Sequence, residues 1–477
     1  MATLAPGCEI DGFRVVEHVH TGGTAMLYRV EPPSPTGFPV ILKVPRIGPG
    51  EDAVNVICHE VEQLMLGVLG GPHVPRLVAS GDLVRQPYLA MEYVEGRRLD
   101  AWLGGAPLSV PEIVRLTVAL ATAVHHLHGQ QFVHLDLKPA NVICRDSGEA
   151  VLVDLGLGYH ACYPDLLAED FRKPVGSAPY MAPEQVVGVR CDPRSDIFAI
   201  GVILYQLATG RLPFGGAGSR AALRQRLYRE PLPPRLIRPE LPQWLQEIIL
   251  RCLEVDADRR YASAAQLAFE LGNAEQVAVT ARGRRSRPQG SWRRFKRWLR
   301  AAGWEPSPCP KLGEQAVKAP IVMVALATRH DDAAQATALC QAVRRLAAAG
   351  TDYRIAVISV IPPFPVLGTS RADESGGGEQ LRHQLIMRHW ARDLELPAER
   401  ITFHVLEGND AADMLLRYAR ANPVDQIVIG APPMAGSPEM GVGLRPAPGT
   451  VAARVILEAP CTVTVVRSPR IAGSRHD

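Results

Sequence analysis

The stretch His134-Leu135-Asp136-Leu137-Lys138-Pro139-Ala140-Asn141 holds an acid, a cation and an amide at fixed, short spacing. It follows a helical pattern that ends near His128, and an apolar run leads into a second acid, Asp154, shortly downstream. Phosphoryl transfer needs this inventory, since Asp136 can accept the proton of an attacking hydroxyl and Lys138 can neutralise charge on the phosphoryl group. The two remaining side chains, Asn141 and Asp154, carry oxygens that suit Mg²⁺.

Length and composition limit the classes of protein to consider. A chain of 477 residues is long enough for two or three domains, and 47% apolar with 21% charged residues is typical of globular proteins. The formal net charge of +3 gives no reason to expect nucleic acid as a partner. The nine cysteines show no CxxC pair. Without a recognisable signal peptide or transmembrane segment, the sequence predicts a cytoplasmic protein with free thiols.

The two motifs together resemble the catalytic loop and the metal-binding motif of eukaryotic-like Ser/Thr protein kinases of bacteria. The resemblance implies a bilobal α+β kinase fold over residues 1–272, with a small lobe over about 11–92 and a large lobe over about 96–272. It implies ATP as phosphoryl donor, Mg²⁺ or Mn²⁺ as the metal, and a Ser or Thr hydroxyl of a protein as acceptor.

Further residues match the same family in order. Gly22 and Gly23 resemble the loop that covers the nucleotide, although His20 and Ala25 replace two of the expected glycines. Lys43 resembles the strand lysine that contacts the phosphates. The remaining matches are a hinge at Met91, Glu92 and Val94, the glycine Gly156, and the structural positions Ser177, Glu184, Asp196 and Arg260, with Glu184 expected to pair with Arg260 and Asp196 expected to hold the catalytic-loop backbone.

The acidic partner of Lys43 is expected on the next helix, where the apolar spacing runs from Val56 to Leu69. Glu60 and Glu62 are the two candidates. We choose Glu60, because it follows His59 where the family usually has Arg-Glu, and we expect Glu62 on the solvated face.

One departure concerns activation. Leu135 stands where most regulated kinases of the family have an arginine that binds an activation-loop phosphate. Residues 157–175 contain neither Ser nor Thr, so the phosphate acceptor and its receptor are missing together. The sequence therefore predicts that the kinase is not activated by phosphorylation of this loop.

Residues 273–317 read as a basic linker flanked by Pro and Gly. No acidic residue occurs from Thr280 to Arg300, and the aromatic and aliphatic residues of 291–302 have helical spacing. A short basic amphipathic helix of this kind suits an anionic membrane surface, which would make the protein peripheral at the membrane. The alternative is a solvated linker whose aromatic residues pack on one of the domains.

Residues 318–470 alternate strands and helices, which predicts an α/β domain with a parallel, Rossmann-like sheet. The predicted elements include a strand over 354–360 and helices over 380–394 and 411–420. Their second half resembles universal stress protein domains, some of which hold ATP phosphates through glycines and a Gly-Ser/Thr pair. The matching residues here are Gly430, Gly449 and Thr450, but Pro433 replaces the second glycine. We therefore favour regulation or homodimerisation over nucleotide binding, and the three residues can also be turn positions.

The sequence leaves two other functions open. A pseudokinase scaffold would explain His20, Ala25 and Leu135, and a sensor of a nucleotide or stress ligand would use the C-terminal domain. The complete set of Lys43, Glu60, Asp136, Lys138, Asn141 and Asp154 favours an active protein kinase in stress signalling.

Overall fold

A computed structural model gives the fold. It describes residues 4–47, 54–82, 86–163, 165–167, 176–216, 219–288, 290–301, 303–310, 321–328, 333–348, 354–362, 372–396, 400–422, 424–431 and 451–467.

The small lobe is a six-stranded antiparallel sheet with one helix. The strands are β1 (Glu9–Ile10), β2 (Phe13–Thr21), β3 (Ala25–Glu31), β4 (Val40–Pro45), β5 (Leu77–Ser80) and β6 (Leu89–Glu92), in the order β1-β2-β3-β4-β6-β5. Alternating side chains of β3 and β4 bury Tyr28 and Leu42 completely, so one face of the sheet forms its own core. Helix α1 (Val54–Val68) packs on the other face.

The large lobe is mostly helical, and helix α5 is its buried centre. Its helices are α2 (Asp100–Leu103), α3 (Val110–Gly129), α4 (Pro183–Val186), α5 (Arg194–Thr209), α6 (Arg220–Arg224), α7 (Pro234–Ile237), α8 (Gln243–Cys252) and α9 (Ala264–Gly272). Ser109 caps α3 through a capping box with Glu112. Gly210 ends α5 in the left-handed conformation that glycine adopts without strain. Nearly every residue of α5 is buried, so it fixes the loops around it.

Short strands carry the loops of the predicted catalytic region. They are β7 (Arg97–Arg98), β8 (Phe132–Val133), β9 (Val142–Cys144), β10 (Ala150–Leu152) and β11 (Tyr159–His160). One small sheet has the order β10-β9-β7, and β11 pairs with β8. The two predicted motifs lie on the loops between these strands, the first between β8 and β9 and the second between β10 and β11.

The basic segment after the large lobe packs on it in part. The Gln246 side chain donates to the carbonyls of Arg282, Gly283 and Arg285, and the Glu247 carboxylate accepts from the Gly283 N–H. Helix α10 (Ser291–Ala301) follows. Beyond it, Cys309 forms a disulfide with Cys191 of the large lobe, so the prediction that all thiols are free is wrong for this pair.

The C-terminal domain is a five-stranded parallel sheet with helices on both faces. The strands are β12 (Ile321–Ala325), β13 (Arg354–Ile361), β14 (Ile401–Glu407), β15 (Val424–Ala431) and β16 (Thr462–Arg467), in the order β14-β13-β12-β15-β16. Helices α11 (Ala333–Ala348) and α12 (Ala372–Arg392) cover one face, and α13 (Ala411–Ala421) and α14 (Val451–Glu458) cover the other. The predicted α/β parallel sheet is confirmed. None of the helices in the described part of the chain is both long and apolar enough to cross a bilayer.

Candidate active site

Asp196 at the start of α5 fixes the backbone of the catalytic-loop stretch. Its carboxylate accepts from the N–H of His134 and from the N–H of Leu135, both at 2.9 Å. Leu135 has a φ of +61°, a left-handed conformation that is strained for a branched side chain. Two hydrogen bonds to the Asp196 carboxylate, which is 1% exposed, hold this strained turn. The Gln185 amide adds a third by donating to the Leu135 carbonyl.

The Asp136 carboxylate is buried and held by three donors. One oxygen accepts from the Ser177 N–H at 2.6 Å, and the other accepts from the Lys138 ammonium at 3.0 Å and the Asn141 amide at 3.2 Å. These charge-assisted contacts fix the orientation of the carboxylate. Four residues that the sequence predicts to belong to the site therefore meet at this carboxylate, namely Asp136, Lys138, Asn141 and Ser177.

Lys43 lies between two carboxylates at the cleft between the lobes. Its ammonium is 2.5 Å from Glu62 Oε2 and 2.8 Å from Asp154 Oδ1. Burial lowers the pKa of Lys43, but the two carboxylates outweigh burial and hold it above its ordinary value. The Lys43 charge in turn lowers the pKa of Asp154 to about 2, so Asp154 is ionised at neutral pH.

The choice of Glu60 as the partner of Lys43 is wrong, because the structure pairs Lys43 with Glu62. The Glu62 side chain is 3% exposed and points into the cleft, whereas the Glu60 carboxylate lies against Arg388 of the C-terminal domain. Residues two apart on a helix are separated by about 200°, so only one of the two can face Lys43.

Replacing Glu62 with Gln is expected to lower kcat/KM for ATP by about 10- to 100-fold, because a neutral amide cannot hold the Lys43 ammonium by charge. The matched control is Glu60→Gln on the same helix, which is expected to change kcat/KM by less than about threefold. Steady-state kinetics with ATP as the varied substrate measures both variants. Equal losses, or a larger loss for Glu60→Gln, would contradict the assignment of Glu62.

The other residues predicted to contact the nucleotide lie in the small lobe and directly after its last strand. Gly22 and Gly23 form the turn between β2 and β3, where the Gly22 N–H donates to the Ala25 carbonyl. Met91 and Glu92 end β6 and Val94 follows it, and their contact with adenine stays a prediction. The Glu92 carboxylate has a role that the sequence did not reveal, because it binds Arg76 at 3.0 Å and Arg145 at 2.6 Å and so joins the two lobes.

The short turn after Asp154 packs closely on α1. A Cβ on Gly156 would lie 2.6 Å from the carbonyl oxygen of Cys58, so a larger residue would push the helix away. Asp154 itself has a φ of +65°. The close approach couples the position of the metal-binding motif to the helix that carries Glu62.

Arg190 is a positioning residue that sequence reasoning missed. Its guanidinium donates to the carbonyls of Leu157 and Gly158 at 2.9 and 3.3 Å, and it pairs with Asp165 at 2.7 Å. It thereby fastens the segment that follows the metal-binding motif without any phosphate. An arginine in a loop gives no periodic signal, and its partners lie 25–33 residues away, so the sequence offered no pattern to find it.

Behind this segment, Glu184 and Arg260 form a buried bidentate ion pair. Both guanidinium–carboxylate distances are 2.7 Å, and Ser195 adds a hydrogen bond to Glu184. Burial raises the pKa of Glu184, but the Arg260 charge outweighs burial and lowers it below the ordinary value. This is the pair that the sequence analysis expects.

Asn141 and Asp154 fit a divalent cation by their chemistry. Asp154 is an ionised carboxylate whose side chain is 39% exposed to the cleft. The Asn141 Nδ2 group donates to the backbone and the carboxylate of Asp136, which leaves the amide oxygen at the other end of the group. A carboxylate and an amide oxygen are ligands that Mg²⁺ and Mn²⁺ accept.

In the C-terminal domain, Gly430 packs against Gln335, whose amide donates to the Val466 carbonyl at 2.7 Å. A Cβ at Gly430 would lie 2.6 Å from that amide nitrogen, which is a packing reason for glycine. Gly449 and Thr450 lie outside the described residues. Near the carboxyl ends of β12 and β13, the structure brings Thr328, Ser359 and His383 into one hydrogen-bonded cluster that the sequence analysis did not predict.

Comparison with known proteins agrees with this geometry. Residues 44–270 match the protein kinase domain family, and residues 321–467 match the universal stress protein family. The chain carries a protein kinase domain followed by a universal stress protein domain. The kinase match begins just after Lys43, so the turn at Gly22 and Gly23 lies before it.

The curated relatives are bacterial serine/threonine-protein kinases. The kinase Pkn1 of Myxococcus xanthus is 34% identical over 60% of this chain and 41% of its own length. The kinase PrkC of Bacillus subtilis is 27% identical over 56% of this chain and 41% of its own length. The chain thus spans about two-fifths of the length of these relatives.

Proposed function

We propose that this chain is an ATP-dependent protein serine/threonine kinase. The observation that carries the proposal is the convergence of the Asp136 carboxylate with the Lys43–Glu62–Asp154 cluster. Lys138 links the two, because it binds Asp136 and its charge also contributes to the lowered pKa of Asp154. The relatives are named serine/threonine-protein kinases, which supports a Ser or Thr hydroxyl as the acceptor. Asp136→Asn, which removes the carboxylate expected to accept the hydroxyl proton, tests the proposal directly through the rate of phosphate transfer.

Each residue of the cleft has a role in this reaction. Asp136 accepts the proton of the attacking hydroxyl, and Lys138 neutralises charge on the transferred group. Lys43 orients the α- and β-phosphates, and Glu62 holds Lys43. Asn141 and Asp154 would hold Mg²⁺, which supplies neutralising charge to the nucleotide phosphates when bound.

The described part of the activation segment, residues 157–163 and 165–167, is held by contacts of its own. Leu135 cannot bind a phosphate, whereas Arg190 holds Leu157, Gly158 and Asp165 by direct bonds. Leu166 and Leu167 are buried in the core of the kinase domain. Phe171 of the same segment lies outside the described residues. These contacts support a kinase that is active without phosphorylation of the loop.

The C-terminal domain is the remaining means of control. The Arg354 guanidinium stacks on the Tyr163 ring of the activation segment at 3.6 Å, and Arg392 pairs with Asp82 of the small lobe at 2.5 Å. Arg388 lies against Glu60 on α1. These contacts support a regulatory role in stress signalling. Helix α14 exposes three apolar side chains, Val451, Ile456 and Leu457, and this supports a homodimer through the same domain.

Phosphatase treatment is expected to leave kinase activity within about twofold, because no loop phosphate is needed to hold Arg190 and its partners. Removing residues 318–477 is expected to change activity and to convert a dimer to a monomer. Phosphate incorporation into a generic substrate and light scattering measure the two effects. Loss of activity after phosphatase, restored by phosphotyrosine at Tyr159 or Tyr163, would overturn the account.

Helix α10 supports a peripheral attachment to an anionic membrane surface. Four large apolar side chains are about half or more exposed on this short helix, namely Trp292, Phe295, Trp298 and Leu299. Arg297 pairs with Glu230 of the large lobe, so the helix is fixed to the kinase domain. A basic helix with an exposed aromatic face matches the surface of a membrane that contains anionic lipids.

Changing Trp292, Phe295 and Leu299 to Ser is expected to abolish most sedimentation of the protein with phosphatidylserine vesicles. Salt is expected to release the unmodified protein, since each basic residue contributes about 1 kcal/mol near an anionic surface. The matched control is Phe269→Ser, which removes an apolar side chain that is 54% exposed elsewhere on the large lobe. Equal sedimentation of the triple variant and the control would reject the membrane surface.

A further inference from the structure

The disulfide between Cys191 and Cys309 joins the basic linker to the large lobe. Cys191 lies in the loop between α4 and α5, and Cys309 lies beyond α10, so the bond closes a sequence separation of 118 residues. The two Cα atoms are 6.0 Å apart, a normal separation for a disulfide. Both residues are partly exposed, so a small thiol or disulfide can reach them.

The other polar bonds from this part of the linker to the large lobe are few. Ser307 donates to Asp256 at 3.1 Å and also bonds Asp258, and Arg194 donates to the Pro308 carbonyl at 3.4 Å. These bonds are long or only partly buried, and such hydrogen bonds contribute little net stability. Within the described residues 303–310, the covalent bond is therefore the main attachment to the lobe.

The loop that carries Cys191 also holds the activation segment. Arg190, the adjacent residue, binds the carbonyls of Leu157 and Gly158 and the carboxylate of Asp165. On the other side, Asp192 pairs with Arg194 at 2.8 Å, and Arg260 donates to the Arg194 carbonyl. A change at Cys191 therefore acts on residues that contact the segment next to Asp154.

We infer that Cys191 and Cys309 form a redox-sensitive tether that fastens the linker to the kinase domain when oxidised and releases it when reduced. The oxidant is a low-molecular-weight disulfide. One cysteine thiolate attacks it and releases one small thiolate, and the second cysteine thiolate attacks the mixed disulfide and releases the other. Two protein thiols become one disulfide, the small disulfide is reduced to two thiols, and each thiolate that forms is balanced by a proton exchanged with water.

The full-length protein is equilibrated with glutathione disulfide or with dithiothreitol. After the remaining thiols are blocked, non-reducing peptide mapping is expected to find the Cys191–Cys309 peptide pair only after the oxidising treatment. Hydrogen–deuterium exchange of residues 303–310 and 186–192 is expected to be roughly tenfold faster in the reduced protein, because the tether no longer restrains them.

Cys309→Ser is expected to exchange like the reduced protein under both conditions, and Cys8→Ser, which removes an exposed free cysteine, is expected to exchange like the unmodified protein. Absence of the peptide pair after oxidation, or equal exchange in the two redox states, would overturn the tether. Neither measurement needs ATP, so failure of the tether is separate from failure of the proposed kinase activity.

Discussion

Asp136→Asn is expected to lower phosphotransfer by ~10²–10⁴-fold while ATP affinity stays nearly unchanged. The lost carboxylate is the group that accepts the hydroxyl proton, whereas the groups placed near the nucleotide phosphates, Lys43 and Asp154, keep their own contact at 2.8 Å. An Asn side chain has nearly the same shape and can still accept from the Ser177 N–H. Single-turnover phosphate transfer measures the rate, and isothermal titration with a non-hydrolysable nucleotide measures binding.

The matched control is Asp146→Asn, an exposed acid in the turn after β9. It is expected to keep the rate within about twofold, because its carboxylate is solvated and lies outside the cleft. Two results would count against the kinase proposal. One is a wild-type rate in Asp136→Asn, and the other is an unmodified protein that transfers no phosphate to any generic substrate, which would favour the pseudokinase scaffold.

The sequence predicted the C-terminal domain closely because its signals are local. Buried strands of a parallel sheet read as short apolar runs, and the helices between them repeat every three to four residues. The strand predicted over 354–360 is observed as Arg354–Ile361, and the helix over 411–420 is observed as Ala411–Ala421. Helix α12 begins earlier than expected, at Ala372, where glycines and acids hide the apolar period.

The error at Glu60 shows what a local signal cannot provide. Cys58, Met65 and Leu69 are all buried, and Glu62 continues their spacing on the same side of α1. A charged residue in an apolar stripe indicates an inward-facing ion pair. Which face of α1 is turned towards Lys43, however, depends on the packing of the whole small lobe. The resemblance of His59-Glu60 to the Arg-Glu pair of the family therefore led to the wrong glutamate.

Contacts between residues far apart in the chain could not be predicted from the sequence. Cys191 and Cys309 are 118 residues apart without a recognisable spacing. A disulfide depends on the distance and orientation of the two Cβ atoms in the folded protein and not on their separation in the sequence. The same reason hides the bridge from Glu92 to Arg76 and Arg145. By contrast, the pair Glu184–Arg260 was expected because the family resemblance supplied the long-range partner.

Arg260→Leu is expected to lower the free energy of unfolding of the kinase domain by about 3–5 kcal/mol. The Arg260 side chain is fully buried and makes two bonds to Glu184, and it also donates to the carbonyls of Glu254 and Arg194. Without the guanidinium, the Glu184 carboxylate would be a buried charge with only Ser195 as a side-chain donor. The neighbouring Arg259→Leu is the control, because its side chain is 71% exposed, and it is expected to stay within about 0.5 kcal/mol.

The stability that the Glu184–Arg260 pair contributes is expected to depend on pH. In the unmodified protein the pKa of Glu184 lies below its ordinary value, so its contribution to stability is complete above that ordinary value and is lost as pH falls. In Arg260→Leu, burial without the cation raises the pKa of Glu184, so this variant loses stability as pH rises above about 4. The difference in unfolding free energy between the two proteins is therefore expected to be largest at neutral pH and to shrink towards about pH 4. Denaturant unfolding of the full chain at several pH values measures it, and equal losses for Arg260→Leu and Arg259→Leu at neutral pH would show that the buried pair does not stabilise the fold.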